Sequence, residues 1–187
     1  IVIDTGISYR HGRAMLTAIA QITSKPVRLV IVTHAVQEFV FGNAAFDEIK
    51  VPVLAHAKSL DLMRQRCEHC LTSLNRVLGP ETMLGSRLVL PSQLIERSTT
   101  LEIAGRTLDL LHFGWASTPG DLAVFDRASG VLFAGGLVSS ERIPELRDAD
   151  LAGWLDALDR LERIPCSVVV PGHGPVGAIH AIDQTRA

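Results

Sequence analysis

The stretch THAVQEFVFGN, Thr33 to Asn43, directly follows the apolar run VRLVIV at Val27–Val32. An apolar run of that length bounded by polar residues reads as a buried strand. The polar residues after it, His34 and Glu38 four positions apart and then Gly42, read as a loop delivered by that strand to a metal. The positions among them do not suit that chemistry. Val36 and Phe39 have no lone pair to donate, and a protein metal site is built from His, Cys and carboxylate donors. The loop has the form of a metal site and only part of its donor set.

Around that loop the chain reads as a single globular domain over 1–187. It is 47% hydrophobic and 20% charged, which suits a packed core rather than a disordered chain. A formal net charge of −2 without a basic run gives no electrostatic case for nucleic acid. No apolar stretch approaches the ~20 residues of a transmembrane helix. The cysteines Cys67, Cys70 and Cys166 are too few and odd in number for a disulfide framework. IVIDTG, at the start, reads as a core strand, so further strands are expected upstream of Ile1, where there is also room for a signal sequence.

Strands and amphipathic helices alternate along the chain. Helices are expected over about Arg13–Thr23, Lys58–Leu78 and Asp150–Arg163. The second shows a stripe of Leu60, Met63, Cys67, Leu71, Leu74 and Leu78, and the third a face of Leu151, Trp154, Leu155, Leu158 and Leu161. Strands are expected at IVIDTG, VRLVIV, VPVLAH, LEIAG, RTLDLLHF, DLAVFD, GVLFAGG and SVVV, the last breaking at PGHGP, with a short helix closing the chain. This pattern predicts a mixed α/β protein with helices on sheet faces. His34, the STPGD loop, the GG after LFA and PGHGP each stand where a strand ends, so these loops are expected to converge on one cleft.

The order DTG, TH, WASTPGD, LFAGG, VVVPGHG resembles the metallo-β-lactamase superfamily from Ile1 to about Val176. GNAAF, DRASGVLFAG, ERIP and LAGWLDALDRL make it most similar to the branch called quinoprotein relay system zinc metallohydrolases. The resemblance implies an αββα sandwich: two mixed β-sheets with helices on the outer faces. It also implies one or two zinc ions holding a hydroxide that attacks an ester, thioester or amide carbonyl, since a bound metal brings water to a pKa of about 7. The relatives are bacterial and often exported, which favours a periplasmic location.

Carried over position by position, the family's ligands are mostly replaced. In the His-x-His-x-Asp-His motif the first His is His34, the second is Val36, the Asp is Glu38 and the last His is Phe39. The His before TPGD is Ser117, the bridging Asp is Gly136, and the final His is His173. The resemblance therefore implies a vestigial cleft of His34, Glu38, Ser117 and His173 and a pseudoenzyme that needs no cofactor. Such a protein would bind a small molecule or a protein partner. The alternative is a hydrolase of esters, thioesters or lactones with one non-standard zinc, iron or manganese site on His34, Glu38 and His173.

Other polar residues read as structural. Ser117 is not on a strained nucleophile elbow and is expected to bond the local backbone. CEHC, Cys67–Cys70, has metal-site spacing, but Cys67 lies on the apolar stripe and no second pair completes a site. Asp4 and Asp121 are expected to hold loops. His11, His56, His69, His112 and His180 match no ligand position. Trp115 is expected either to line the cleft or to pack.

Overall fold

A computed structural model describes residues 1–186. The chain divides into two compact units, Ile1–Leu94 and Ile95 onward.

The first unit is built on a sheet of order β1-β2-β3-β4, with β1 Val2–Ile3, β2 Val30–Ile31, β3 Val53–His56 and β4 Gln93–Ile95. β1, β2 and β3 pair in parallel. VRLVIV contributes only two ladder residues, although Leu29, Val30, Ile31 and Val32 are all buried. Helix α1, Tyr9–Ile22, begins four residues earlier than the apolar spacing predicts, because Ser8 caps it by accepting from the His11 amide. The long helix α4 runs Ala57–Leu78. Its expected stripe holds in part: Leu60, Met63, Cys67 and Leu74 are buried, Leu71 is half-buried, and Leu78 is exposed. His56 caps α4 by accepting from the Lys58 amide at Nδ1. Three short helices complete the unit: α2 Gln37–Val40, α3 Asn43–Glu48 and α5 Pro80–Met83. The stretch expected to be a metal loop thus contains a turn of helix, Gln37–Val40, and runs into α3 at Asn43.

The first loop of this unit is locked to THAVQEFVFGN. The Asp4 carboxylate accepts from the Thr33 amide at 2.8 Å and from the Thr33 hydroxyl at 2.6 Å. The Thr5 amide donates to the Phe39 carbonyl at 3.0 Å. The Thr5 hydroxyl lies 2.8 Å from Asn43 Oδ1 and 3.1 Å from the same Phe39 carbonyl, and its single proton serves one of them at a time. Gly42 makes this approach possible, since a Cβ there would stand 1.9 Å from the Thr5 carbonyl oxygen. Helix α1 closes on the same turn through Gly12, where a Cβ would stand 2.4 Å from the Gly42 oxygen.

The second unit is built on a sheet of order β5-β6-β7-β8-β9: Thr99–Ile103, Arg106–Leu111, Ala123–Asp126, Val131–Ser139 and Val168–His173. Its pairs are antiparallel except β8 with β9, which is parallel. β9 does not break at PGHGP; it stays paired through His173, which stands opposite Ser139. Two register shifts interrupt β8 around Gly135, one on each side. Helix α6, Leu151–Leu161, is capped by Asp150 and buries Trp154, Ala157, Leu158 and Leu161 against a core that includes Leu132, Leu137 and Val169. Leu151 and Leu155, expected on that buried face, are 57% and 49% exposed. They lie on the flank of the helix rather than on its core side. The closing helix α7, His180–Arg186, docks through the Thr185 hydroxyl, which bonds both the amide and the carbonyl of Ser139.

Because the atom facing Gly42 belongs to backbone, it cannot yield by a rotamer change. Gly42→Ala is expected to lower the unfolding free energy by about 2 kcal/mol, measured by urea denaturation. A loss of only a few tenths would show that the Thr5–Phe39 clamp can open to admit a methyl group.

Candidate functional site

In the first unit, His34 leaves β2 as a buried residue, 6% exposed. Glu38 lies in the first turn of α2, and Phe39, the next residue, is buried. The Phe39 ring meets the His34 imidazole edge-on, with centroids 5.3 Å apart and planes at 72°. An edge-on aromatic pair is a favourable packing contact. Val36 packs against the same apolar core. One carboxylate oxygen of Glu38, Oε2, is buried and has no hydrogen-bond partner among the described residues.

Beneath this loop, Asp4 is a buried carboxyl at positive φ. Burial pushes its pKa up to about 7, against the lowering effects of the Thr33 hydroxyl, the Thr33 amide and His34. It holds the loop, as the sequence suggests for Asp4.

In the second unit, Ser117 and Thr118 are both buried. The local bonds are made by Thr118 rather than by Ser117. The Thr118 amide and hydroxyl donate to the two oxygens of Asp121, and the Thr118 carbonyl accepts from Ala116. Asp121 is thus a loop-holding carboxylate like Asp4. The Ser117 hydroxyl makes no hydrogen bond with the described residues, so no imidazole stands ready as its base, which a serine nucleophile requires. His173 is half-buried at the end of β9, and its carbonyl accepts from the Ser140 amide. Gly136 lies within the irregular part of β8. Ser139 carries a buried hydroxyl oxygen without a hydrogen-bond partner among the described residues; nothing in its sequence context marks it. His112 bonds the Asp121 carbonyl through Nδ1 at 3.0 Å. Trp115 is 51% exposed, with its indole N–H donated to the Asp148 carbonyl.

A family model for the metallo-beta-lactamase superfamily matches residues 1–173. The chain belongs to the metallo-β-lactamase superfamily. A metallo-beta-lactamase from Pontibacter korlensis superposes with a TM-score of 0.79 at 26% identity, covering 98% of this chain and 79% of that one. The metallo-beta-lactamase FIM-1 from Pseudomonas aeruginosa, solved in a mono-zinc form, superposes with a TM-score of 0.78 at 20% identity, covering 98% and 75%. These likenesses, with the two sheets and their helices, establish the metallo-β-lactamase fold. Among characterised relatives, a linear primary-alkylsulfatase from a Pseudomonas species is 23% identical over 98% of this chain and 41% of its own length. A type 2 metallo-beta-lactamase from Bacteroides fragilis is 27% identical over 53% of this chain and 42% of its own length. The chain therefore spans about two-fifths of the length of these two relatives.

The metallo-β-lactamase superfamily implies zinc, so the donors present decide whether a centre of that kind fits. The loop after β2 supplies one imidazole and one carboxylate, with Phe39 packed edge-on against the imidazole. Among the described residues no group of three or more His, Cys, Asp or Glu side chains is placed to hold one ion. A zinc site needs at least three protein donors, and the loop after β2 by itself supplies two, His34 and Glu38. Cys67 and Cys70 do not substitute for it. Cys67 is 1% exposed in the core of the first unit, and burial pushes its thiol up to about 12.

Two measurements follow from these groups. Asp4 has a folded value of about 7 against an ordinary 3.8, so the folded state holds its proton more tightly. The stability this adds is fully present below about pH 4 and is lost as pH rises toward 7. The isosteric Asp4→Asn keeps an acceptor for Thr33 and does not titrate. Wild type is expected to lose stability relative to Asp4→Asn between pH 4.5 and pH 7.5 in parallel urea titrations. A constant difference would mean that the carboxyl titrates normally. Cys67 is expected to resist a thiol reagent in the native protein and to react fully once urea unfolds it, as peptide mass mapping would record; rapid native labelling would contradict its core placement.

Proposed function

We propose that this chain is a divergent metallo-β-lactamase-superfamily protein that has lost metal-dependent hydrolysis and acts as a binding or accessory protein. The observation that carries this reading is the Phe39 ring against His34. It fills with apolar surface one side of the one histidine retained from the family's first motif. Replacement of the bridging carboxylate by Gly136 and of a histidine by Ser117 supports it, because metal-hydroxide chemistry needs those donors. We read residues 1–187 as one domain and its ligand as a small molecule or protein partner. On the GNAAF, ERIP and LAGWLDALDRL motifs alone, we place it in the quinoprotein-associated branch and, with those relatives, in the bacterial periplasm. No helix among the described residues is long and apolar enough to cross a membrane.

One observation favours a second reading. The buried, unpartnered Oε2 of Glu38 is an acceptor that a cation would satisfy, and leaving such an atom unpaired is costly. On this reading a single zinc, iron or manganese ion held by His34, Glu38 and His173 would hydrolyse an ester, thioester or lactone.

The two readings part in one experiment. Elemental analysis of protein purified without chelator, and again after zinc incubation and desalting, is expected to give a metal-to-protein ratio close to zero. A generic thioester or lactone assay is expected to show no saturable turnover. Near-stoichiometric metal, together with turnover abolished by Glu38→Ala, would replace the first reading with the second.

A further inference from the structure

The second unit presents an apolar face that its own core does not use. Trp115, Ile143, Leu146, Leu151 and Leu155 are between 49% and 87% exposed. They come from three adjoining segments. The Trp115 indole N–H donates to Asp148 at 2.6 Å, and the Asp150 amide donates to Ala116 at 2.9 Å. The Trp115 carbonyl packs so closely on α6 that a Cβ at Gly153 would stand 2.1 Å from it. Leu151 and Leu155 are one turn apart and therefore on one side of α6. Leu146 joins them through its turn to Ala149, whose amide bonds the Leu146 carbonyl. On ordinary side-chain areas the five leave on the order of 500 Å² of apolar surface open, at the upper end of what a monomer exposes in one patch.

The loop that carries Ile143 is held in a costly conformation. Glu141 has φ of +62°, a region that non-glycine residues adopt rarely and at a cost. It presents Glu141, Arg142 and Ile143, all exposed, in sequence. Arg147 is engaged by Glu145, and Arg160 by Asp156. Glu141 and Arg142 have no ion-pair partner among the described residues. A membrane surface or nucleic acid would meet repulsion from the carboxylates here. A second copy carries both signs here, so a two-fold axis beside this loop would set Arg142 of each copy against Glu141 of the other.

We propose that this face is an isologous interface between two copies of the chain, with Trp115, Leu151 and Leu155 at its centre and the Glu141–Arg142 pair at its rim. The apolar patch and its flanking loop together approach the ~800 Å² per partner of a standard interface. Trp115 is already fixed by its hydrogen bond, so little freedom is lost when it is covered.

Sedimentation equilibrium on the whole chain, up to roughly 100 μM, tests this at concentrations well above a micromolar dissociation constant. Wild type is expected to be a dimer. Ile143→Asp with Leu151→Asp is expected to be a monomer with unchanged circular dichroism and thermal midpoint, since both positions are exposed. Glu141→Arg is expected to weaken association at least tenfold, and Glu141→Arg with Arg142→Glu to recover it. A wild-type monomer throughout, or a dimer indifferent to both the aspartate pair and the charge swap, overturns the proposal.

Discussion

Two adjacent residues, Asp4 and Thr5, fix the path of the loop that follows β2. Asp4 fastens the end of β2 by gripping Thr33 with both carboxylate oxygens. Thr5 fastens the far side of the loop by bonding Phe39 and Asn43. Gly42 and Gly12 let the main chains of the two segments and of α1 approach without intervening side chains. Buried polar groups are expensive unless bonded, so this set holds as a unit or not at all. The position of His34 and Glu38 is a consequence of those bonds.

The sequence made much of this fold legible for a physical reason. Long elements with a single buried face advertise it by spacing, and α4 and α6 are found within one or two residues of their expected ends. The short elements escape. α2, at four residues, and α5, at four, complete barely one turn, so no period can be read in them. Leu151 and Leu155 fit the helical stripe, but the stripe defines only a broad arc, and the core takes Trp154, Ala157, Leu158 and Leu161 instead. The start of α1 was hidden because its first turn, Tyr9 to Gly12, carries no aliphatic residue to extend the apolar spacing; the Ser8 cap and the close packing of Gly12 mark it instead.

The site was legible in composition and not in contact. The resemblance alone points to Val36, Phe39, Ser117 and Gly136 as non-donor residues at the positions that matter. What only the structure supplies is the contacts: Phe39 edge-on to His34, a Glu38 oxygen without a hydrogen-bond partner among the described residues, and Thr118 making the bonds expected of Ser117. These depend on ring orientation and on which hydroxyl faces Asp121, and spacing carries neither.

The Thr5 amide and hydroxyl both address a carbonyl oxygen at position 39, not the side chain there. The grip is therefore blind to residue identity. Whatever stands at 39 inherits the same loop path, so the chemistry of the position can drift while the shape that displays it is transmitted unaltered. A fold that separates form from reactivity in this way leaves selection free to act on either one alone.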